Sequence, residues 1–301
     1  MAGRKKTWYQ RFWEIRTLRY LVQFGFFAFI FYVALRHTII GEDSGIIVAS
    51  PEAYCPFGGL EGLYKFITSG GRYLQHTHLS NLVVLVAALI TAFFVKSAFC
   101  GWICPFGTLQ DWLYRLAKPL RQGPVFASAR RWLRAHPQVV NALDHWLRYA
   151  KYVILVWILI GTIVYDTMVF RNYDPYATLL NIAELELGAG LVILLLTVVA
   201  ALFVERPWCR YACPLGAVLG LTGKLSPIKI KRNVELCKNC RLCDAKCPMG
   251  LKPSSVTVIT SADCTSCLEC VAACPKEGVL EPNLLLPKLV LPTAAKPGQA
   301  G

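Results

Sequence analysis

Eight of the thirteen cysteines in this 301-residue chain lie in two copies of one pattern. The first is Cys237-x2-Cys240-x2-Cys243-x3-Cys247-Pro248, and the second is Cys264-x2-Cys267-x2-Cys270-x3-Cys274-Pro275. Thiolates at this spacing hold cubane iron–sulfur clusters, and in two-cluster ferredoxins the fourth ligand of each run crosses to the other cluster. Cys237, Cys240, Cys243 and Cys274 are therefore expected to hold one [4Fe–4S], and Cys264, Cys267, Cys270 and Cys247 the second. Soft thiolates also suit zinc, but zinc sites come as two CxxC pairs. With all eight ligands supplied by protein, no iron is left open to a substrate, so the unit reads as an electron conductor.

Four further cysteines form a second pair of motifs. Cys100-Gly-Trp-Ile-Cys104-Pro105 and Cys209-Arg-Tyr-Ala-Cys213-Pro214 sit in matching surroundings, VKSAFCGWICPFGTL and VERPWCRYACPLGAV, at an offset of 109 (Cys100 to Cys209). They mark an internal repeat. Residues four apart share a helix face, and the proline disfavours helix at Cys104 and Cys213, so each motif is expected to end a helix and turn the chain. The two pairs suit several roles: redox couples, disulfides, four ligands converging on one metal, or buried cysteines shaping a tight turn. The last cysteine, Cys55, lies in Tyr54-Cys55-Pro56-Phe57, which matches Tyr173-Asp174-Pro175-Tyr176 and makes Cys55 and Asp174 equivalent; it is single, on the expected outer side, and reads most simply as an ordinary buried or half-buried thiol.

The elements that must carry these motifs are apolar. The chain is 55% hydrophobic and 17% charged, against about 25% charged in soluble domains, and its mean hydropathy is +0.45. Such a composition excludes disorder. Four segments, 20–40, 81–99, 152–170 and 187–204, approach the ~20 residues that cross a bilayer. Lys and Arg are rich before residue 20, sparse in 41–79 and 171–186, and rich again in 100–150 and after Arg206. The positive-inside rule then places both termini in the cytoplasm of a multi-pass inner-membrane protein. The net charge of +14 follows this topology, so it argues for the lipid bilayer and against nucleic acid. The first apolar stretch is too long for a cleavable signal peptide.

The expected fold is mainly α: a four-helix transmembrane domain of two tandem two-helix units, then a C-terminal α+β ferredoxin-like 2[4Fe–4S] domain. The expected boundaries are a basic N-terminus at 1–19, the membrane domain at 20–223, the ferredoxin domain at 224–282, and a Pro-rich disordered tail at 283–301. Residues 128–149 mix Arg with Trp, Leu and Val and read as an interfacial amphipathic helix broken near Pro137.

Over roughly residues 15–282 these features resemble the NapH-type membrane polyferredoxins and their NosR, MauN and CcoG relatives. The 301 residues hold neither an outer flavin-binding domain of NosR type nor a C-terminal domain of CcoG type, and the CPFGG around Cys55 departs from nitrate-reductase NapH. The resemblance implies a quinol dehydrogenase component that relays electrons from the quinone pool to a partner redox protein or subunit. The alternative is an electron-supplying maturation or regulatory protein for a metalloenzyme. Transport is disfavoured, since no discontinuous, charge-lined core is visible. Quinol oxidation needs acceptors for two protons; the ionisable candidates are His37, Asp166, Asp174, Glu184 and Glu186 near the outer face and Asp111, Glu205 and Arg206 near the inner face. His37 with His76 or His78 is the one set suited to a b haem, although outer histidines are more often plain surface.

Overall fold

The computed structural model describes residues 8–40, 54–68, 78–165, 168–180 and 188–284. Asp166, Glu184, Glu186, His76 and the tail beyond residue 284 lie outside the described residues, as does the side chain of His78.

Two helices are long and apolar enough to cross a membrane. They are α1 (Trp8–Ile40), of 33 residues, and α8 (Pro137–Tyr165), of 29, or roughly 50 and 43 Å at 1.5 Å per residue. The other two apolar segments form shorter helices, α3 (His78–Val95) and α10 (Ala189–Phe203). Large apolar side chains stand exposed along all four, among them Leu21, Phe31, Val83, Ile90, Ile160 and Leu196. An apolar surface of this extent marks contact with lipid or protein. The first helix begins twelve residues before the expected span (Trp8 against Tyr20) and so carries Arg11, Arg16 and Arg19 as continuous helix. The break expected near Pro137 is present: α7 (Ala127–Ala135) ends at His136, and the chain from Pro137 runs on into the third apolar helix.

The short helices that precede the second and fourth apolar helices fold back against them. Residues 54–55 lead into α2 (Pro56–Thr68), which packs along α3; a short turn at Phe170–Tyr173 leads into α9 (Pro175–Leu180), which packs on α10. At the opposite end the repeats cross over. The first CxxxCP runs through α4 (Ala98–Trp102) into α5 (Pro105–Leu116), which packs on α10 of the second repeat. The second runs through a π-turn, Trp208–Ala212, into α11 (Pro214–Lys224), which packs on α3 of the first. This reciprocal exchange is the packing that a pseudo-twofold relation between the two repeats would give. A short helix, α6 (Lys118–Gln122), leads toward α7.

The C-terminal unit is small. Strand β1 (Ile228–Arg232) pairs antiparallel with β2 (Leu280–Leu284), Ile230 opposite Pro282. Between them lie the cysteine loops and two short helices, α12 (Leu242–Ala245) and α13 (Glu269–Ala273). Its core is built from Ile230, Ile259, Val271, Val279 and Leu280 together with the cysteines.

Candidate functional site

The two ferredoxin loops have matching backbone shapes. Asn239 (φ 52°) and Arg241 (φ 56°) flank Cys240, and Ser266 (φ 44°) and Leu268 (φ 58°) flank Cys267. Left-handed backbone at a residue as bulky as leucine is unfavourable, and it persists here because it wraps each loop inward on both sides of its central cysteine. Each wrap encloses space. A cavity of about 520 Å³ is lined by Cys237, Cys240, Cys243 and Cys274. A second, of about 330 Å³, is lined by Cys247, Cys264, Cys267 and Cys270. The fourth cysteine of each run thus stands in the other run's cavity. The two sites differ in environment. Cys240 is exposed, and the Asn239 backbone and the Arg232 guanidinium hold the Cys237 thiol below its usual range. Cys264, Cys267 and Cys270 are buried, and burial pushes Cys247 up to about 12.

The second loop is the one seated on the helices. Segment 261–269 receives Lys96 Nζ at the Ser261 carbonyl (3.1 Å), Arg148 Nη1 at Asp263 (2.7 Å) and Trp102 Nε1 at the Ser266 carbonyl (3.0 Å). It also receives Lys151 at Asp263 and Arg19 Nη1 at Glu269 (2.7 Å). The Cys100–Cys104 turn lies directly beneath. A Cβ added to Gly101 would meet the Thr265 carbonyl at 2.5 Å and Cys267 Cβ at 3.5 Å, so only glycine permits this approach.

Behind that turn, a cavity of about 810 Å³ lies between the two repeats. It collects Cys100, Cys104, Cys209 and Cys213, and also Cys55 and Asp174. Cys55 is half-buried there, in keeping with the sequence reading, with its thiol 3.6 Å from Asp174 Oδ2 of the matching segment in the other repeat. One local rule positions four of the six groups. Cys55, Asp174, Cys104 and Cys213 each precede a proline that opens a helix, where a missing N–H costs nothing. Cys104 and Cys213 have extended backbone (ψ 115° and 114°), as a residue before proline requires. Asp174 Oδ1 accepts the Tyr176 N–H at 2.9 Å, Cys213 Sγ accepts the Gly216 N–H at 3.4 Å, and Cys209 Sγ accepts from Gln110 Nε2 at 3.5 Å.

Of the acids expected near the inner face, Asp111 is fully buried and spent on ion pairs. It accepts from Arg206 Nε (2.6 Å) and Nη2 (2.7 Å) and from Arg19 Nη2 (2.8 Å). Glu205 is only partly enclosed; burial, with Asp111 nearby, raises its carboxyl to about 6. Sequence reading missed the residues that seat the ferredoxin unit: Arg19, Lys96, Trp102, Arg148, Lys151, Asp263 and Glu269. The signal available was charge inside or beside apolar helices, since Arg19 and Lys151 are placed where a solvated charge has no business.

Two segments, 77–124 and 187–233, match a family model described as a 4Fe-4S binding domain, and 229–276 matches a 4Fe-4S dicluster domain. The first two are the CxxxCP repeats and the third is the ferredoxin unit. Cysteine-lined cavities and these matches define an iron–sulfur protein of the electron-transfer class. The chain is 29% identical to YccM of Escherichia coli over 88% of its length and 71% of that protein, and 30% identical to the ferredoxin-type protein NapH of Haemophilus influenzae over 68% and 70%. It is also 31% identical to the regulatory protein NosR of Pseudomonas aeruginosa, over 58% of its length and 23% of that larger protein. The chain belongs to the NapH-type polyferredoxin family. No solved structure matches it.

Proposed function

We propose that the chain is a four-span membrane protein, both termini cytoplasmic, that relays electrons between the quinone pool and a partner redox protein. Two [4Fe–4S] clusters do the carrying, the outer one on Cys237, Cys240, Cys243 and Cys274 and the inner one on Cys264, Cys267, Cys270 and Cys247. The observation that carries this reading is the unequal placement of the two cysteine cavities. The Cys264 loop is clamped onto the membrane helices by five side chains, while the Cys237 loop is turned to solvent. One site is thus next to the bilayer and the other is open to a protein partner. The lining of the open site includes exposed Lys238, Arg241 and Lys276, which favours an acidic partner surface.

Oxidation of one quinol yields quinone, two protons and two electrons, and the clusters accept the electrons one at a time. The test uses anaerobically purified full-length protein in detergent, a menaquinol analogue, and iron–sulfur absorbance with low-temperature EPR on the same sample. Bleaching with a reduced-cluster signal is expected. Clusters that dithionite reduces and the quinol analogue does not would overturn the quinol step and favour a maturation role.

A further inference from the structure

We infer that Arg232 makes the site of Cys237, Cys240, Cys243 and Cys274 the better electron acceptor of the two, so that electrons entering at the Cys264 loop run outward to the solvent-facing site. The two cysteine runs have the same spacing, but the residue five places before the first cysteine differs: Arg232 before Cys237, Ile259 before Cys264. The fold puts these two in corresponding places. Arg232 N–H donates to the Thr257 carbonyl (2.7 Å) and Ile259 N–H to the Ile230 carbonyl (2.9 Å), on either side of the bridge between Lys231 and Val258. Each side chain lines the cavity of its own run.

There the two surroundings part. Arg232 Nε donates to the Val256 carbonyl at 2.9 Å, which fixes the guanidinium, and Nη1 donates to Cys237 Sγ at 3.5 Å. Lys238, Arg241 and Lys276 line the same cavity, and among the described residues no acid does. Asp244 Oδ1 opposes them at 3.7 Å from Cys243 Sγ, but it also accepts the Ser254 N–H at 2.8 Å. The cavity of the Cys264 run is walled by buried Ile259 with Ile230, Leu251 and Leu268, and no charged residue lines it among the described residues. Lys96 is the cation near Cys264, and its Nζ donates to the Ser261 carbonyl at 3.1 Å.

Four thiolates leave a cubane negatively charged, and reduction adds one more negative charge. Nearby positive charge, N–H donors to sulfur and access to water favour the reduced form, whereas an apolar buried wall opposes it. All three favour the Cys237 site. Each transfer then takes one electron from the Cys264 site, which is reoxidised, to the Cys237 site, which is reduced. The inference rests on the two clusters of the proposed relay and not on its quinol step.

The test titrates full-length protein, purified anaerobically in detergent, with dithionite and redox mediators while low-temperature EPR is read. In the wild type the first cluster reduced should be the solvent-facing one, so a water-soluble dysprosium chelate should speed relaxation of the half-reduced signal. Arg232→Gln should lower the higher of the two potentials by ~59 mV, a tenfold change in the one-electron equilibrium between the sites, and leave the lower one in place. Arg232→Lys keeps the charge and should recover part of the shift. A half-reduced signal untouched by the chelate, or an Arg232→Gln variant that moves neither potential or both alike, would overturn the inference. Fewer than two reducible clusters per chain would overturn it together with the two-cluster reading. The wild-type chelate result decides even if the variants do not fold.

Discussion

Asp111 is the residue whose loss should cost most without touching a cysteine. Its carboxylate, on α5, is fully buried and takes three short bonds, two from Arg206 after the fourth apolar helix and one from Arg19 on α1. Arg19 in turn reaches Glu269 on the ferredoxin helix α13, so a single carboxylate joins three layers of the molecule. Charged hydrogen bonds contribute ~1.5–3 kcal/mol each, but three such terms overcount. Arg206 keeps the Cys100 carbonyl and Arg19 keeps Glu269 and the Gly101 carbonyl. The remaining cost is that of leaving buried guanidinium charge uncompensated, about 3–5 kcal/mol. Asp111→Asn should lower the melting temperature by roughly 6–20 °C at ~2–4 °C per kcal/mol. Thermal loss of the iron–sulfur absorbance in detergent measures it. Asp111→Leu combined with Arg206→Met should recover part of the loss, because an apolar pair of similar volume removes the stranded charge. A shift below about 2 °C for Asp111→Asn, equivalent to under ~1 kcal/mol, would refute the idea that this carboxylate locks the three layers.

Gly101→Ala forces a Cβ against the Thr265 carbonyl; overpacking of this kind costs about 1–3 kcal/mol, and quinol-driven bleaching should slow while dithionite reduction is unchanged. Trp102→Phe removes the Nε1–H to Ser266 carbonyl bond and should cost about 1 kcal/mol in chemical unfolding. Burial raises the Glu205 carboxyl from its ordinary 4.5 to about 6, so the folded state holds its proton longer and stability falls as pH rises from about 4.5 to 6. Glu205→Gln should therefore stabilise the protein by roughly 2 kcal/mol above pH ~6 and by nothing below pH ~4.5, read from melting curves across pH.

The ferredoxin cysteines were legible because their chemistry is local: three ligands within seven residues leave the loop little choice but to wrap, and the left-handed pairs at Asn239/Arg241 and Ser266/Leu268 are that wrap. The CxxxCP turns were legible for a similar reason, since proline dictates the backbone of the residue before it. That Cys55 is a half-buried thiol was legible, but the neighbours it meets were not, because they depend on how the segment leading into α2 lies between helices, which no short window of sequence encodes. Its match to Asp174 was the better guide. A repeat related by a pseudo-twofold puts equivalent residues on opposite sides of one axis, so two equivalents near that axis must meet, as Cys55 and Asp174 do at 3.6 Å. The same logic applies to the four CxxxCP cysteines. The basic residues were hidden by their own abundance. With 32 Lys and Arg, topology accounts for the total, and nothing in the count singles out Arg19, Lys96, Arg148 or Lys151. What separates them is burial, full for Arg19, Lys96 and Lys151 and partial for Arg148, beside a partner acid or carbonyl far along the chain, as when Arg19 meets Glu269 across 250 positions. A cation desolvated in this way is costly unless paired, so these four define where the ferredoxin unit must sit, and that seat sets which cysteine loop packs against the apolar helices.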